Sequence, residues 1–440
     1  MEPSGMPTYL EKDLIRPGLT TPFTGHLAQI KLRLRKKVPK LTANDVRRAR
    51  IPYYEAIASE LYEEGCVNAA FLVLHLIEYE DQYVQPTSDP SAEERRLRHS
   101  RPLLDFFRES LATAEANMQL ERFDSEVSEL LAIARKLTRD SEKHWLARQF
   151  FLIALDRCID CSPDGRVKWD ALVRYYYAEF LIKQRNHLEA MKMLEHATTS
   201  LEKAKMEETL TTLDENGERL IVAISTLLFD VNRQLAEDCK TAAAWIREQY
   251  IRDAHKAALK TLKPSIMAEA FFAYGRFLFS KTEYREALEK YNQAFQQAEL
   301  DGGKEELLCS VTLARAATYH RLRQPMKCEA MLQLVNRRTQ SEQVPVSSLC
   351  RANYYYTAAT LELEDDPSEP ERIEWLADRL RQAANTFRHF GREDKTIAAR
   401  CLEALVLGEQ SFGEYATELL PAAASTSDDA LFRVIDWVGF

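Results

Sequence analysis

The stretch AEAFFAYGRFLFSKTEYREALEKYNQAFQQAELD, residues 268–301, decides the fold. Phe271, Tyr274, Gly275, Leu278, Ala287, Tyr291 and Ala294 fall in register for a 34-residue helix–turn–helix unit. Its small residues, Gly275, Ala287 and Ala294, lie 12 and 7 residues apart, and the same spacing separates Ala178, Ala190 and Ala197 in residues 171–204. Leu181 and Leu194 fill the other apolar positions of that second unit. The spacing has a physical reason. The first two small residues sit where the two helices of a unit cross, and the third where the second helix meets the next unit. Larger side chains would hold the axes beyond the roughly 8–10 Å of well-packed helices.

Such units are tetratricopeptide (TPR) repeats, and the predicted fold is all-α, a TPR-like α-solenoid wound as a right-handed superhelix. Composition agrees. Thirteen Gly and sixteen Pro in 440 residues are few breakers, and 45% of the chain is hydrophobic. No apolar run reaches the 18 residues of a membrane span, and Met1-Glu2-Pro3-Ser4-Gly5 has no apolar run like that of a signal peptide. The eight cysteines are scattered and no Asn-x-Ser/Thr acceptor occurs, so reduced thiols and a cytoplasmic setting are expected.

Four regions are expected: a basic Pro-rich arm (1–43), an N-terminal helical block (44–165), the solenoid (166–420) and a tail (421–440). The net charge of −9 divides unevenly. Residues 1–50 hold 11 Lys/Arg and 4 Asp/Glu, giving +7; the rest holds 48 and 64, giving −16. Pro3, Pro7, Pro17, Pro22 and Pro39 make the arm mostly extended. At its centre lie Lys31, Arg33, Arg35, Lys36, Lys37 and Lys40. This run is either a solvated tail or an adhesive for an acidic polymer, nucleic acid or the acidic tails of tubulin.

In the block, Asn44 or Asp45 caps a helix to about Glu64, with Gly65 as its stop. A largely buried helix, Val67 to about Tyr83, carries Phe71, Leu72, Leu74, Leu76 and Ile77. Further helices are expected at about 93–118, 122–138 and 142–160, then a turn at Pro163-Asp164-Gly165. Between the two clear units, helices near 218–238 and 241–262 form an irregular pair. Ala317, Ala330 and Leu334 mark a unit with one extra turn residue. A widened pair, Asn353–Leu363 and Ile373–Phe390, and helices 393–408 and 412–420 close the stack.

No catalytic constellation emerges. Gly302-Gly303-Lys304 lacks the upstream glycine of a P-loop and follows a helix. Cys158-x-x-Cys161 has no second pair or His pair to complete a zinc site, so two structural cysteines are expected. No cofactor, metal or membrane partner is expected, and the chain reads as a non-enzyme. First-helix positions 2, 5, 9 and 12 of TPR units line the concave surface: Leu172, Tyr175, Glu179 and Ile182 in one unit, Glu269, Phe272, Arg276 and Phe279 in the other. They lack the Lys/Asn/Arg clamp with which chaperone-binding TPR domains grip a terminal carboxylate. They suit the apolar face of a partner helix, or else they pack between neighbouring helices.

Glu121-Arg122-Phe123-Asp124 and Ser141-Glu142-Lys143-His144-Trp145-Leu146-Ala147-Arg148-Gln149-Phe150 resemble the stretch that precedes the repeats in the tetratricopeptide repeat protein 29 family. The helix pair at 46–77, the long unit at 218–262 and the basic arm are similar in order and length, so the resemblance runs over roughly residues 45–400. Arg174, where a large apolar residue is usual, and the lack of a closing Pro in either unit depart from the repeat pattern. The resemblance implies a cytoskeletal protein of the cilium or sperm-flagellum axoneme, needed for flagellar assembly and beating, with no catalytic residues to carry over. Its partners would be axonemal, dynein-related or ciliary-transport proteins, with tubulin contacted by the arm. The alternative is a general cytosolic TPR adaptor for motor cargo or complex assembly. A nucleic-acid-associated regulator ranks below both.

Overall fold

The computed structural model describes residues 29–31, 33, 42–83, 96–204, 219–239, 244–300, 302, 304–340, 348–364 and 370–414. Among them every regular element is helical, and the fold is all-α and solenoid-like. The chain divides into two compact units, Met1–Ser162 and Pro163–Phe440.

The first unit holds α1 (Ala43–Arg50), α2 (Tyr53–Glu63), α3 (Val67–Tyr83), α4 (Arg101–Gln119), α5 (Phe123–Leu137) and α6 (His144–Arg157). The single helix expected to run to Glu64 is two. Thr42, not Asn44 or Asp45, caps α1: its hydroxyl accepts from the Asp45 N–H, and the Asp45 carboxylate accepts from the Thr42 N–H at 2.7 Å. Pro52 then forces the break, since it holds Ile51 in extended backbone. Buried carboxylates tie the unit together. Glu60 receives Arg48 at 2.7 Å and Arg108 at 3.0 Å. Glu115 of α4 accepts from the Asn68 and Ala69 N–H groups, which satisfies the start of α3. The expectation of a largely buried α3 needs correction: Val73, Leu76 and Ile77 are buried, but Phe71 and Leu74 lie exposed on its other side.

The second unit stacks α7 (Pro163–Lys183), α8 (His187–Lys203), α9 (Leu220–Asp238), α10 (Ala244–Thr261), α11 (Pro264–Ser280), α12 (Tyr284–Leu300), α13 (Glu305–Arg321), α14 (Pro325–Gln340), α15 (Ser348–Glu364), α16 (Pro370–His389) and α17 (Glu393–Glu414). Pro163 does not make a turn. It opens α7, where a missing N–H costs nothing. The break expected between helices 393–408 and 412–420 is absent as far as Glu414, and residues 415–440, the tail among them, lie outside the described residues.

One turn recurs through both units. In Gly65, Glu121, Arg185, Thr282, Arg323 and Gly391, the second residue past a helix end, φ lies between 55° and 87°. The residue after each donates its N–H five residues back: Cys66 to Leu61, Arg122 to Asn117, Asn186 to Leu181, Glu283 to Leu278, Gln324 to Tyr319 and Arg392 to Phe387, at 2.8–3.0 Å. This is the Schellman closure, which satisfies the last carbonyls and reverses the chain in three residues.

The close-contact spacing recurs with the turn. Besides the two predicted triplets, buried Ala316, Cys328 and Val335 lie 12 and 7 apart. The register placed on Ala317 and Ala330 is therefore off by one residue in the first helix and two in the second, and the turn has no extra residue. In the next pair Ala359, Ala377 and Ala384 are buried, and the first interval grows by the six residues Asp365–Pro370. The N-terminal block carries the same spacing in Ala58, Ala70 and Ile77, and in Ala114, Glu126 and Ile133, all buried.

Candidate protein-binding groove

Within the second unit the first helices of successive pairs touch: α7 meets α9, α11 meets α13, and α13 meets α15. The predicted groove residues lie on two of these helices. On α7, Leu172, Tyr175, Glu179 and Ile182 are all half-buried. Tyr175 stands edge-on to Tyr176 at 5.2 Å, and Glu179 holds Lys183 at 2.8 Å. On α11, Arg276 is exposed, while Glu269, Phe272 and Phe279 are half-buried. Phe272 packs 5.9 Å from Tyr291 and Phe279 5.2 Å from Tyr284, so each ring braces its own helix pair with one side. The Arg276 guanidinium lies 6.0 Å over the Phe272 ring, and Glu269 pairs with Lys304 at 3.7 Å. The two sets do not form one cluster.

Between them in the chain, the irregular pair α9/α10 supplies what the sequence reading missed. A cavity of about 40 Å³ lies where α9, α10 and α11 meet, lined by Phe229, Arg233, Arg247, Ala273 and Arg276, with Glu237 as the acidic member. Arg247 stands three residues into α10, the place held by Ala190, Ala287 and Cys328 in their helices. Its Nε is buried with no hydrogen-bond partner, and its guanidinium lies 5.9 Å over the Phe277 ring. Arg233 reaches Asp230 at 3.6 Å and is half exposed. The legible signal was an arginine where a repeat needs a small residue; the longer link at 239–243 hid that register.

Positive charge continues beyond the cavity. Lys395 of α17 donates to Asn353 Oδ1 of α15 at 2.6 Å and lies over the Phe387 ring. Lys395 is exposed, yet partial desolvation by the protein around it, then the nearby Arg276 and Arg392 guanidinium groups, push its ammonium pKa down, against the pull of Glu306.

The remaining candidates are placed as follows. Lys31 and Arg33 are exposed and helical, as are Gln29 and Ile30, where extended chain was expected; the stretch between Pro22 and Pro39 has no proline to forbid a helix. Arg35, Lys36, Lys37 and Lys40 lie outside the described residues. Cys158 and Cys161 are buried. The Cys158 thiol donates to the Ala154 carbonyl at 3.1 Å, while burial and the Asp124 carboxylate push the Cys161 thiol up to about 12, far from a reactive thiolate. Among the described residues no group of three or more His, Cys, Asp and Glu could hold a metal ion, and no helix is long and apolar enough to cross a membrane. Of the residues behind the family resemblance, Leu146, Ala147 and Phe150 are buried, while Glu121, Arg122, Asp124, Ser141, Glu142 and Arg148 are exposed. Phe150 packs 5.3 Å from Phe107, and Trp145 stacks on Tyr79 at 5.8 Å.

No protein-family model and no curated protein matches the chain. Among solved structures it is similar to that described as "Crystal structure of BtubC (BKLC) from P. vanneervenii", with 15% identity and a TM-score of 0.34, over 54% of this chain and 93% of that one.

Proposed function

We propose that this chain is a non-enzymatic TPR-type scaffold of the motile cilium or sperm-flagellum axoneme, supporting flagellar assembly and beating by binding other proteins. The observation that carries the scaffold reading is the repetition itself. The same spacing of buried residues and the same turn recur along the chain, and first helices touch at α7/α9, α11/α13 and α13/α15. Stacked pairs of this kind offer an extended surface rather than a closed pocket, which suits a partner segment better than a small substrate. The ciliary part rests on the resemblance of Glu121–Asp124 and Ser141–Phe150 to the tetratricopeptide repeat protein 29 family. Phe272 and Phe279 offer apolar anchors on the first-helix face, and the basic residues from Lys31 to Lys40 supply charge for the acidic tails of tubulin. Partners are axonemal, dynein-related or ciliary-transport proteins met in the cytoplasm or on the cytoskeleton.

The test is imaging of the tagged protein in flagellated cells before and after detergent extraction. Retention along the demembranated axoneme is expected. A pool confined to the cell body and lost with detergent would sink the ciliary reading and leave a general cytosolic adaptor.

A further inference from the structure

The geometry points to a recognition site for acidic side chains at the junction of α9, α10 and α11, and we infer that the partner segment bound there presents carboxylates to Arg233, Arg247 and Arg276. This deepens the scaffold reading and rests on it. Three guanidinium groups line one small cavity, against Glu237 in its wall and Asp230, which Arg233 reaches at 3.6 Å. One of the three, Arg247, occupies a crossing position that other pairs of the second unit fill with alanine or cysteine, and its contact with the Phe277 ring leaves its Nε without an acceptor. A buried guanidinium N–H without a partner costs free energy unless a ligand supplies the acceptor. A cavity of about 40 Å³ admits a group the size of a carboxylate and excludes a cofactor.

Charge complementarity fixes the occupant. Arg276 is exposed beside the cavity and forms no ion pair among the described residues, and the Lys395 ammonium lies near enough to repel it. Arginine forks match carboxylates in a bidentate geometry, which lysine cannot offer. Phe229 in the cavity wall and Phe272 under Arg276 supply apolar surface beside the charges. A helical segment with acidic residues flanking an apolar stripe satisfies both features.

The experiment measures fluorescence anisotropy of the full chain with a short labelled helical peptide in which glutamates flank a leucine stripe. Its twin carries glutamine at every glutamate. The acidic peptide should bind about tenfold tighter than its twin, and Arg233→Gln with Arg276→Gln should erase that difference. Arg285→Gln, on the exposed side of α12, should leave it unchanged, and circular dichroism melts of each variant verify folding. Equal binding of the two peptides to the unaltered chain would overturn the carboxylate site and leave the groove reading intact. An equal loss with Arg285→Gln would also overturn it, by showing diffuse charge attraction. Failure of both peptides to bind would defeat the groove reading along with it.

Discussion

The pairs α9/α10 and α11/α12 adjoin each other in the stack and follow opposite rules. In α11/α12, Gly275 is buried at the crossing, and a Cβ there would come within 2.6 Å of the Tyr291 ring. The helices approach because nothing stands between them. In α9/α10, the helices carry buried Asn232 and half-buried Arg247 instead. Asn232 returns its amide N–H to the Leu228 carbonyl at 2.9 Å, and its Oδ1, like Arg247 Nε, has no protein partner. Both pairs pack extensively, but α9/α10 sets a polar and a charged side chain at the interface and borders a charged cavity. In a solenoid each pair leans only on its neighbours, so one pair can depart from the pattern without dissolving the rest.

The comparison breaks most visibly at Gly275. Gly275→Leu should destabilise the second unit by about 3 kcal/mol through overpacking against Tyr291, read as a shift in the denaturant midpoint. An unchanged midpoint would mean that the helices are not in close contact there. Thr282 sharpens the view of the turn: a β-branched residue holds φ of 66° where Gly65 and Gly391 serve elsewhere. Thr282→Gly should therefore raise stability by about 1 kcal/mol in the same titration, and no gain would deny the left-handed turn.

A second lapse in the spacing lies in the first unit, where Glu126 takes the place of an alanine between α4 and α5. Burial raises its carboxyl pKa above the ordinary 4.5, against the pull of Arg157 3.4 Å away. A group bound more tightly to its proton in the folded state stabilises the fold below that ordinary value, and the contribution is lost as pH rises through the folded pKa. Glu126→Ala should remove this loss above pH 4.5 and change stability at neutral pH by no more than about 1 kcal/mol. Thermal melts of the two proteins across pH would show parallel curves if Glu126 does not titrate in that window. Smallest of all, Arg247→Ala should alter stability by about 0.5 kcal/mol, since the lost contact with Phe277 offsets the removal of an unpartnered N–H. A cost above about 2 kcal/mol would make Arg247 a packing residue and remove its reason to await a ligand.

Much of the fold was legible because helix pairs are local. The second-unit pairs around Gly275 and Ala178 were found from three small residues each. Ala58–Ile77 and Ala114–Ile133 are harder to read, because their third member is isoleucine and Glu126 breaks the pattern in the middle. Ala316 lost to Ala317 by one residue because both are small, and only the observed helix shows which one is buried. Pro52 ends α1 although the apolar rhythm continues across it, so periodicity alone does not show the break. The candidate site was less legible. Phe272, Arg276 and Phe279 follow from repeat position, but Arg233 and Arg276 are 43 residues apart, and only the packing of α9 on its neighbours brings them to one cavity.

The central claim, that the chain joins the axoneme through its first-helix face, is tested most directly by combining extraction with the groove variants. Flagella carrying the tagged unaltered chain, Arg233→Gln with Arg276→Gln, or Arg285→Gln would be demembranated and the retained protein measured. Retention of the unaltered chain and of Arg285→Gln, with release of the folded double variant, is the expected result. Equal retention of all three would contradict attachment through this face, and release of all three would contradict residence on the axoneme.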